Sequence, residues 1–479
     1  MSGALVLFSR DLRLHDQPAL AASVRECEAI VPAFVLDREL LRRTGSPPNR
    51  IAFLLESLRD LRASLRSRGA HLVIREGDVV EEALRLVHEC RLSAIYMSAD
   101  YTPYAVSREQ RLRRACEEQR VRLHTFGGVT VAAPGALTPA GADHYRVFTP
   151  YWNVWNGLPR RPTARVPAKL PVARLPAPGR LPKLSEIATG TPAGERLRGG
   201  ESEGRAAIER WLRSGVGRYA DGRDELARER TSRLGPYLHF GCVSPASVLG
   251  RLPDGDGSRA FARQLCWRDF HHQVLFARPD IPHADYRPRG DRWRRSKTDA
   301  DAWREGRTGY PIVDAGMRQL RAEGYMHNRA RLIVASFLTK TLYLDWRLGA
   351  AHFAALLLDA DVANNVGNWQ WIAGTGNDTR PNRVLNPLRQ ARRYDPEGDY
   401  VRRWVPELAG VPKRWIHQPW VLSRTAAASA GLVLGKTYPE RVVLHEERRP
   451  RALAMYGATR ADRPSPQQNT TSSRHPARS

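Results

Sequence analysis

The chain has 479 residues and a formal net charge of +26, from 76 Lys and Arg against 50 Asp and Glu. This length exceeds what one hydrophobic core usually supports, so two or three domains are expected. With 42% hydrophobic residues the composition excludes a wholly disordered chain. The positive charge favours a polyanionic partner, nucleic acid above all. An Arg-rich coding bias explains the same charge and stays open as an alternative.

The cysteines and the first residues bear on the compartment. The five cysteines are widely spaced, with no CxxC pair, so neither disulfides nor a zinc site is predicted. Charges follow directly after the first short apolar run, which predicts a strand and not a signal peptide, and no apolar run is long enough for a membrane span. We expect a cytoplasmic monomer that associates with the nucleoid when it binds DNA, with no membrane and no protein partner.

Residues 1–127 alternate short β-branched runs with amphipathic stretches. In residues 50–67, apolar side chains recur at steps of three and four, as in a helix with one buried face. The alternation predicts a doubly wound parallel sheet, although no GxGxxG or Walker loop marks a nucleotide site in it. The predicted strands are residues 4–9, 30–37, 71–77, 94–100 and 121–126.

The rest of the chain divides by composition. Residues 128–199 are predicted to be an interdomain linker, because much of the segment is dense in proline and lacks a periodic apolar face. Residues 200–450 carry long helical patterns, such as 312–322 and 326–344, and predict an all-helical domain. Residues 451–479 are predicted to be disordered, since their end lacks large apolar side chains.

The stretch TSRLGP suggests a phosphate site. Thr231 and Ser232 can cap the start of a helix, where free backbone N–H groups bind phosphate, and Arg233 adds positive charge. A capped helix without a ligand gives the same pattern, so both interpretations stay open. Further on, Ser244 and Pro245 predict the start of another helix.

The stretch RQLCWRDFHH places polar groups on one side of a helix. Gln264, Trp267, Arg268 and His271 lie three or four residues apart, so an amide, an indole and a guanidinium can face one cavity. The alternative is a solvated polar stripe with Trp267 packed flat against the surface.

The stretch MHNRARL opens an apolar helix with His327, Asn328 and Arg331 about one turn apart. These side chains suit contacts to the edge of a ring and to phosphate. A single His at such a place is usually structural, but three polar groups on a helix that continues LIVASFL favour a site.

The stretch LDADVANNVGNWQW concentrates carboxylates and amides. Asp359, Asp361 and Asn365 can converge on a heterocycle, the carboxylates accepting N–H or ribose hydroxyl groups. Paired aspartates also suit metal or acid–base chemistry, but no His or Glu partner set is nearby, so no metal site is predicted. Five of the twelve tryptophans fall between residues 293 and 371. They indicate either core packing or a cofactor pocket with an aromatic relay.

These motifs resemble the DNA photolyase/cryptochrome family, most of all its bacterial class I members that act on cyclobutane pyrimidine dimers. The resemblance runs in weaker form from LVLFSRDLRLHDQPAL at 5–20 to RWVPEL at 403–408 and fades after about residue 450. It implies an α/β plus all-α fold, in which a Rossmann-like antenna domain is joined by a long linker to a helical FAD-binding domain.

The resemblance also implies an activity. The family's light-driven carbon–carbon lyases repair UV-damaged DNA: FAD, reduced and anionic when active, passes an electron to a dimer flipped out of the duplex. One alternative is a cryptochrome-type blue-light photoreceptor with little or no repair activity. Another is a basic DNA-binding scaffold without photochemistry, which would require a decayed flavin motif.

The family's FAD-contacting positions map onto this sequence. An amide at Asn365 matches the repair enzymes and stabilises the reduced flavin, where plant cryptochromes resemble Asp and insect ones Cys. The implied cofactor-binding residues are Tyr219, Thr231, Ser232, Arg233, Leu234, Gly235, Phe261, Arg268, His327, Asn328, Arg331, Asp359, Asp361, Val362 and Asn365.

Three tryptophans match the family's electron relay, ordered from flavin to surface as Trp369, Trp346 and Trp293. With Asn365 and Gln264 they make up the implied catalytic residues.

The implied DNA-binding set shows two departures from the dimer enzymes. Gln264 stands where they usually have Glu, and Leu332 replaces a common Met. Members that repair the (6-4) photoproduct need His at the places of Asn328 and Leu332, so that substrate is not expected. The implied DNA-binding residues are Arg223, Gln264, Trp267, Arg268, His271, Asn328, Arg329, Leu332, Trp371 and Gln390.

An antenna chromophore is also implied. Stretches 45–58 and 98–110 resemble members that bind 8-hydroxy-deazaflavin. Methenyltetrahydrofolate is less favoured, because pterin-binding members carry an Asn-Glu pair where this chain has Ser107 and Arg108. The implied lining is Phe34, Arg50, Asp100 and Tyr104.

Overall fold

A computed structural model describes residues 3–172 and 176–446. The predicted disorder of 451–479 therefore lies outside the described residues. The N-terminal region alternates strands and helices as expected. Its elements are β1 (Gly3–Phe8), α1 (Pro18–Glu26), β2 (Ala29–Leu36), α2 (Arg38–Arg43), α3 (Pro48–Arg66), β3 (Val73–Glu76), α4 (Val79–Glu89), β4 (Ala94–Ser98), α5 (Pro103–Glu118) and β5 (Arg122–Phe126).

The five strands form one parallel sheet in the order β3-β2-β1-β4-β5, so the predicted doubly wound sheet is confirmed. All of β1 is buried, as in parallel sheets covered on both faces. Leu5 and Leu7 point to α4, whereas Val6 and Phe8 point to the other face. That second face belongs to one continuous core shared with the C-terminal region.

The segment between the two regions contains α6 (Phe148–Asn156) and α7 (Leu184–Ile187). The aromatic side chains of α6 are buried in the shared core. Part of the predicted linker is therefore a packed helix, which the proline pattern further along did not reveal.

The C-terminal region is helical, and among the described residues from 200 to 446 only isolated bridges pair as strands. The helix predicted at 326–344 is shorter than expected. It gives way to a π-helical turn, Phe337–Thr341, and ends before Tyr343, which has a left-handed φ of 55°. The α-helices are α8 (Glu201–Arg210), α9 (Tyr219–Gly222), α10 (Gly235–His239), α11 (Pro245–Gly250), α12 (Asp256–Ala277), α13 (Lys297–Glu305), α14 (Pro311–Glu323), α15 (Asn328–Ser336), α16 (Trp346–Leu356), α17 (Val362–Ala373), α18 (Pro387–Tyr394), α19 (Asp399–Trp404) and α20 (Arg424–Ser429).

Two further observations concern the cysteines and the length of the apolar helices. All five cysteines are free. In the described ranges no helix has the length and apolarity to cross a membrane.

Candidate active site: a polar cavity in the helical region

A cavity of about 550 Å³ opens among α9, the loop before α10, α12, the start of α15 and α17. Its size is typical of a cofactor or ligand pocket. Nineteen residues proposed from sequence line it. They are Tyr219, Arg223, Thr231, Ser232, Arg233, Leu234, Gly235, Phe261, Gln264, Trp267, Arg268, His271, Asn328, Arg329, Arg331, Leu332, Asp359, Asp361 and Trp371.

Helix α12 supplies one wall of the cavity, and two of its polar side chains there, Arg268 and His271, are buried. Arg268 is buried and donates to the carbonyls of Val129 (2.5 Å) and Leu238 (3.3 Å). Burial lowers the pKa of His271 to about 4, so its ring is neutral at pH 7. Its Nδ1 makes no hydrogen bond within the described ranges and packs against Gly367 of α17, where an added Cβ would collide with it.

The loop before α10 differs from the predicted capped helix. The helix begins at Gly235 after Leu234, and no side chain caps it. Thr231 instead lies 3.2 Å from the hydroxyl of Tyr325. Arg233 holds a left-handed φ of 50°, a conformation that is costly for a non-glycine residue and persists where the surroundings enforce it. Its guanidinium packs 4.6 Å from the Tyr325 ring centre and pairs with Glu323 at 3.1 Å.

The two predicted site residues at the start of α15, His327 and Arg331, have different roles. His327 is the N-cap of α15, where its Nδ1 accepts from the Arg329 amide at 3.1 Å, and it does not line the cavity. The cofactor contact expected of His327 thus has no support in this geometry. Arg331 does face the cavity and donates to Asp359 Oδ2 at 3.0 Å, while Asp359 Oδ1 is buried without a protein partner.

Asp361 caps the start of α17, with its Oδ1 accepting from the Asn364 amide at 2.9 Å. Its Oδ2 accepts from Arg10 Nη2 at 2.6 Å, and His272 Nε2 lies at 3.4 Å, outside hydrogen-bond geometry. Burial opposes ionisation, but His272 and Arg10 outweigh it and hold the pKa of the Asp361 carboxyl well below its usual value. The carboxylate is therefore a fixed negative charge beside the cavity.

Asn365 and Trp369 line a smaller cavity of about 70 Å³, which shares Asn328 and Leu332 with the larger one. The Asn365 Nδ2 donates to the Ala350 carbonyl at 2.9 Å. Its Oδ1 accepts no hydrogen bond from the described part of the chain. Val362 lies outside both cavities and is 39% exposed, so its expected cofactor contact has no geometric support.

The three tryptophans lie along connected elements. Trp369 is buried, and a Cβ at Gly349 of α16 would collide with its ring, which fixes a close approach of α16 and α17. Trp346 begins α16 on the face of Gly349, one turn earlier, and its indole donates to Asp285 at 2.9 Å. Half-buried Trp293 packs 5.0 Å from the ring of Tyr343, three residues before Trp346. Of the three tryptophans, Trp369 lines the smaller cavity, and Trp293 is the most exposed.

Sequence reasoning missed several groups around the cavity. Trp303 packs 6.0 Å from the Trp369 ring, and Tyr325 and Asn368 line the larger cavity. Arg10 joins the two regions, because it also donates to Asp100 at 3.0 Å. Its position two residues after β1 could have indicated a site residue, because ligands bind at the carboxyl ends of parallel strands.

The four antenna residues lie near the carboxyl ends of the strands but line none of the cavities described above. Asp100 is bonded to Arg10, and Arg50 donates to the Ala354 carbonyl of α16. The Tyr104 hydroxyl donates to Asp37, and Phe34 is buried in β2.

The remaining DNA-binding candidate, Gln390, lies on α18 outside the two cavities, with its Oε1 buried and unpartnered. Arg223 and Arg329 are half-buried at the cavity, and Arg329 pairs with Asp224 at 2.7 Å.

The fold is similar to that of solved photolyase and cryptochrome structures. Family models described as "DNA photolyase" and "FAD binding domain of DNA photolyase" match residues 4–171 and 261–458, and the chain belongs to this family. It is 49% identical over 455 residues to the deoxyribodipyrimidine photo-lyase of Streptomyces griseus, covering 94% of this chain and 98% of that protein.

Two solved structures are also similar. A class III photolyase from Agrobacterium tumefaciens superposes with a TM-score of 0.89 at 34% identity, covering 96% of this chain and 98% of that one. An archaeal photolyase from Sulfolobus tokodaii, solved with two FAD molecules, gives a TM-score of 0.82 at 30% identity, covering 95% and 100%.

Proposed function

We propose that the protein is a light-driven lyase that splits cyclobutane pyrimidine dimers in DNA. The observation that carries the proposal is the larger cavity, which brings the flavin motif of 231–235 and the lesion-side residues Gln264, Trp267 and Trp371 to one space. Repair of a defined thymine dimer under blue light tests it.

The residues present fit FAD. Asp359 lines the larger cavity, and its Oδ1 is buried without a protein partner. Arg233 and Arg331 bring positive charge toward a diphosphate, and Asn365 offers a free amide oxygen. FAD supplies, when bound, the electron that opens the dimer. The chain's own task is to hold it, exclude water and keep Asp361 charged.

The relay residues Trp369, Trp346 and Trp293 are proposed to carry electrons from the surface to the cofactor site. Their indoles are oxidisable. Trp369 lies on α17, Trp346 begins α16, and half-buried Trp293 precedes α13. The Asp285 carboxylate accepts from the Trp346 indole N–H, and a negative partner there favours a positive charge on that ring.

We propose that the flipped dimer stacks between Trp267 and Trp371 and that Gln264 donates to its carbonyl groups. Removal of this amide should leave polar lesion atoms unpaired, at a cost of about 1–3 kcal/mol. In titrations with damaged and intact duplexes, Gln264→Ala should therefore lose discrimination by that amount while FAD stays bound. Gln264→Glu should keep or improve repair. Equal affinity of the native protein for both duplexes would contradict the premise.

DNA binding is proposed to rest on phosphate contacts, with Arg223, Arg329 and Gln390 as named contributors. The log of the affinity for damaged duplex should fall linearly with log salt, at roughly 0.9 per neutralised phosphate. Arg223→Gln should reduce that slope by about one. A salt-independent affinity would exclude this mode of binding.

Gln264 favours a second candidate function, that of a cryptochrome-type photoreceptor. An amide cannot supply a proton as a carboxyl group can, and the dimer-repairing enzymes usually have Glu at this position. In that case FAD would bind and respond to light, but dimer content would not change.

The antenna is proposed to be 8-hydroxy-deazaflavin, with methenyltetrahydrofolate as the weaker candidate. In support, Arg108 Nε is buried without a partner, and the Arg108 guanidinium lies 5.8 Å from the ring centre of Tyr104, one of the implied lining residues. The Sulfolobus photolyase was solved with two FAD molecules, which implies a second FAD as the light-harvesting cofactor of that protein. Extraction and spectroscopy of the bound chromophore therefore test the assignment here. We further propose a cytoplasmic, monomeric protein that joins the nucleoid on binding DNA.

A further inference from the structure

One face of the Trp267 indole is covered by a residue of the linker helix α6. The rings of Phe148 and Trp267 stack with centroids 3.8 Å apart and planes inclined by 3°. Trp267 lines the larger cavity, whereas Phe148 does not and is only 7% exposed. Phe148 therefore lies behind Trp267, and the ring has one face left for a ligand.

This face-to-face arrangement is not the one that aromatic pairs prefer in isolation. The packing of α6 against α12 enforces it, because Phe148 also meets Phe270 edge-on at 5.8 Å, and Phe270 meets Trp267 at 5.5 Å. The stack thus limits rotation of the half-buried Trp267 side chain into the cavity.

Phe148 also contacts a cation at the same cavity. The Arg263 guanidinium lies 5.1 Å from the ring centre of Phe148 and 5.1 Å from that of Trp152, also on α6. Arg263 lines the cavity, and no carboxylate of the described chain lies within ion-pair distance of it. Two aromatic rings hold this charge, and it remains available to an anion.

We propose that Phe148 is a positioning residue for damaged DNA: it fixes Trp267 as a stacking surface and Arg263 as a contact to a phosphate beside the flipped dimer. The linker helix then helps to set lesion affinity without touching the lesion. This inference rests on the proposed function, because it takes Trp267 as the surface on which the dimer stacks.

The test compares four variants of the FAD-loaded full chain, of which Arg263→Gln removes the proposed phosphate contact. Phe148→Leu keeps an apolar side chain but removes the stack, and Phe148→Tyr keeps it. Tyr151→Leu is the matched control, because Tyr151 is buried on the same helix and contacts Phe270 and Tyr145 without a ring contact to Trp267.

Phe148→Leu should weaken the preference for a thymine-dimer duplex over intact duplex by about three- to tenfold. FAD content and the rate of flavin photoreduction should stay at native values. Phe148→Tyr and Tyr151→Leu should both keep the native preference for the thymine-dimer duplex. Arg263→Gln, at a partly exposed site, should weaken binding and reduce the salt slope by about one.

An unchanged preference in Phe148→Leu, or an equal loss in Tyr151→Leu, would overturn the positioning role. If Phe148→Leu does not fold, a native salt slope in Arg263→Gln would overturn the proposal on its own. Failure of the proposed function looks different, because the native protein itself would then bind both duplexes equally.

Discussion

Trp369→Phe should slow the photoreduction of oxidised FAD drastically, while protein whose flavin was chemically reduced beforehand should still repair dimers. Phe lacks the easily oxidised indole but keeps most of the apolar volume. Since Trp369 is buried against Phe353 at 5.0 Å, truncation to Ala would cost about 3–5 kcal/mol, whereas Phe should change stability much less. Absorbance of the flavin under blue light with an added reductant gives the rate.

Trp303→Phe is the matched control. Trp303 is equally buried and packs 6.0 Å from Trp369, but its indole donates to the Val334 carbonyl and it is not part of the proposed relay. Replacing Trp303 should leave the rate of flavin photoreduction nearly unchanged, whereas replacing Trp346 should slow it. Normal photoreduction in Trp369→Phe would mean that another donor operates. Loss of repair in the pre-reduced variant would mean that Trp369 serves the lesion pocket itself.

Arg10→Gln should lower the free energy of unfolding by about 3–5 kcal/mol, the range for removing one partner of a buried ion pair. Arg10 is 18% exposed and pairs with two buried carboxylates, Asp100 at 3.0 Å and Asp361 at 2.6 Å. The variant leaves both without this cation and loosens the start of α17, so FAD affinity should fall as well. Denaturant unfolding with and without FAD measures both effects.

The same variant has an expected pH dependence. Because the folded-state pKa of Asp361 is depressed below 3.8, its stabilisation is present above that pH and is lost as pH falls through the folded value. The gap between native and variant stability should therefore persist from pH 7 to about pH 4 and narrow below. Arg25→Gln is the exposed control, since Arg25 pairs with Glu26 and is itself 71% exposed. Its loss should lower the free energy of unfolding by only about 0–1 kcal/mol. An equally small effect in Arg10→Gln would contradict the role given to Arg10.

The sheet was predictable because most of its strands are short, continuous apolar runs, as in a parallel sheet covered on both faces, and amphipathic stretches with a period of 3.6 separate them. The cavity wall on α12 was predictable for a similar reason, since the spacing of Gln264, Trp267 and His271 places them on one helix face.

Other features depend on long-range contacts that periodicity does not encode. The cap expected at Thr231 is absent because the chain turns left-handed at Arg233 and the helix starts later. His327 resembles a ligand residue in sequence but serves as a cap. Arg10 lies 351 residues from Asp361, and Phe148 lies in a segment predicted to be linker. Neither the Arg10–Asp361 pair nor the Phe148–Trp267 stack could therefore be found from local sequence patterns.

The most direct test of the account is blue-light repair of a duplex with one defined thymine dimer, by purified protein carrying reduced FAD, with a dark control. Illumination should restore intact thymines at the dimer site with repeated turnover, and the dark sample should not change. Bound FAD that is photoreduced normally, together with an unchanged dimer content after illumination, would contradict the lyase function and favour the photoreceptor.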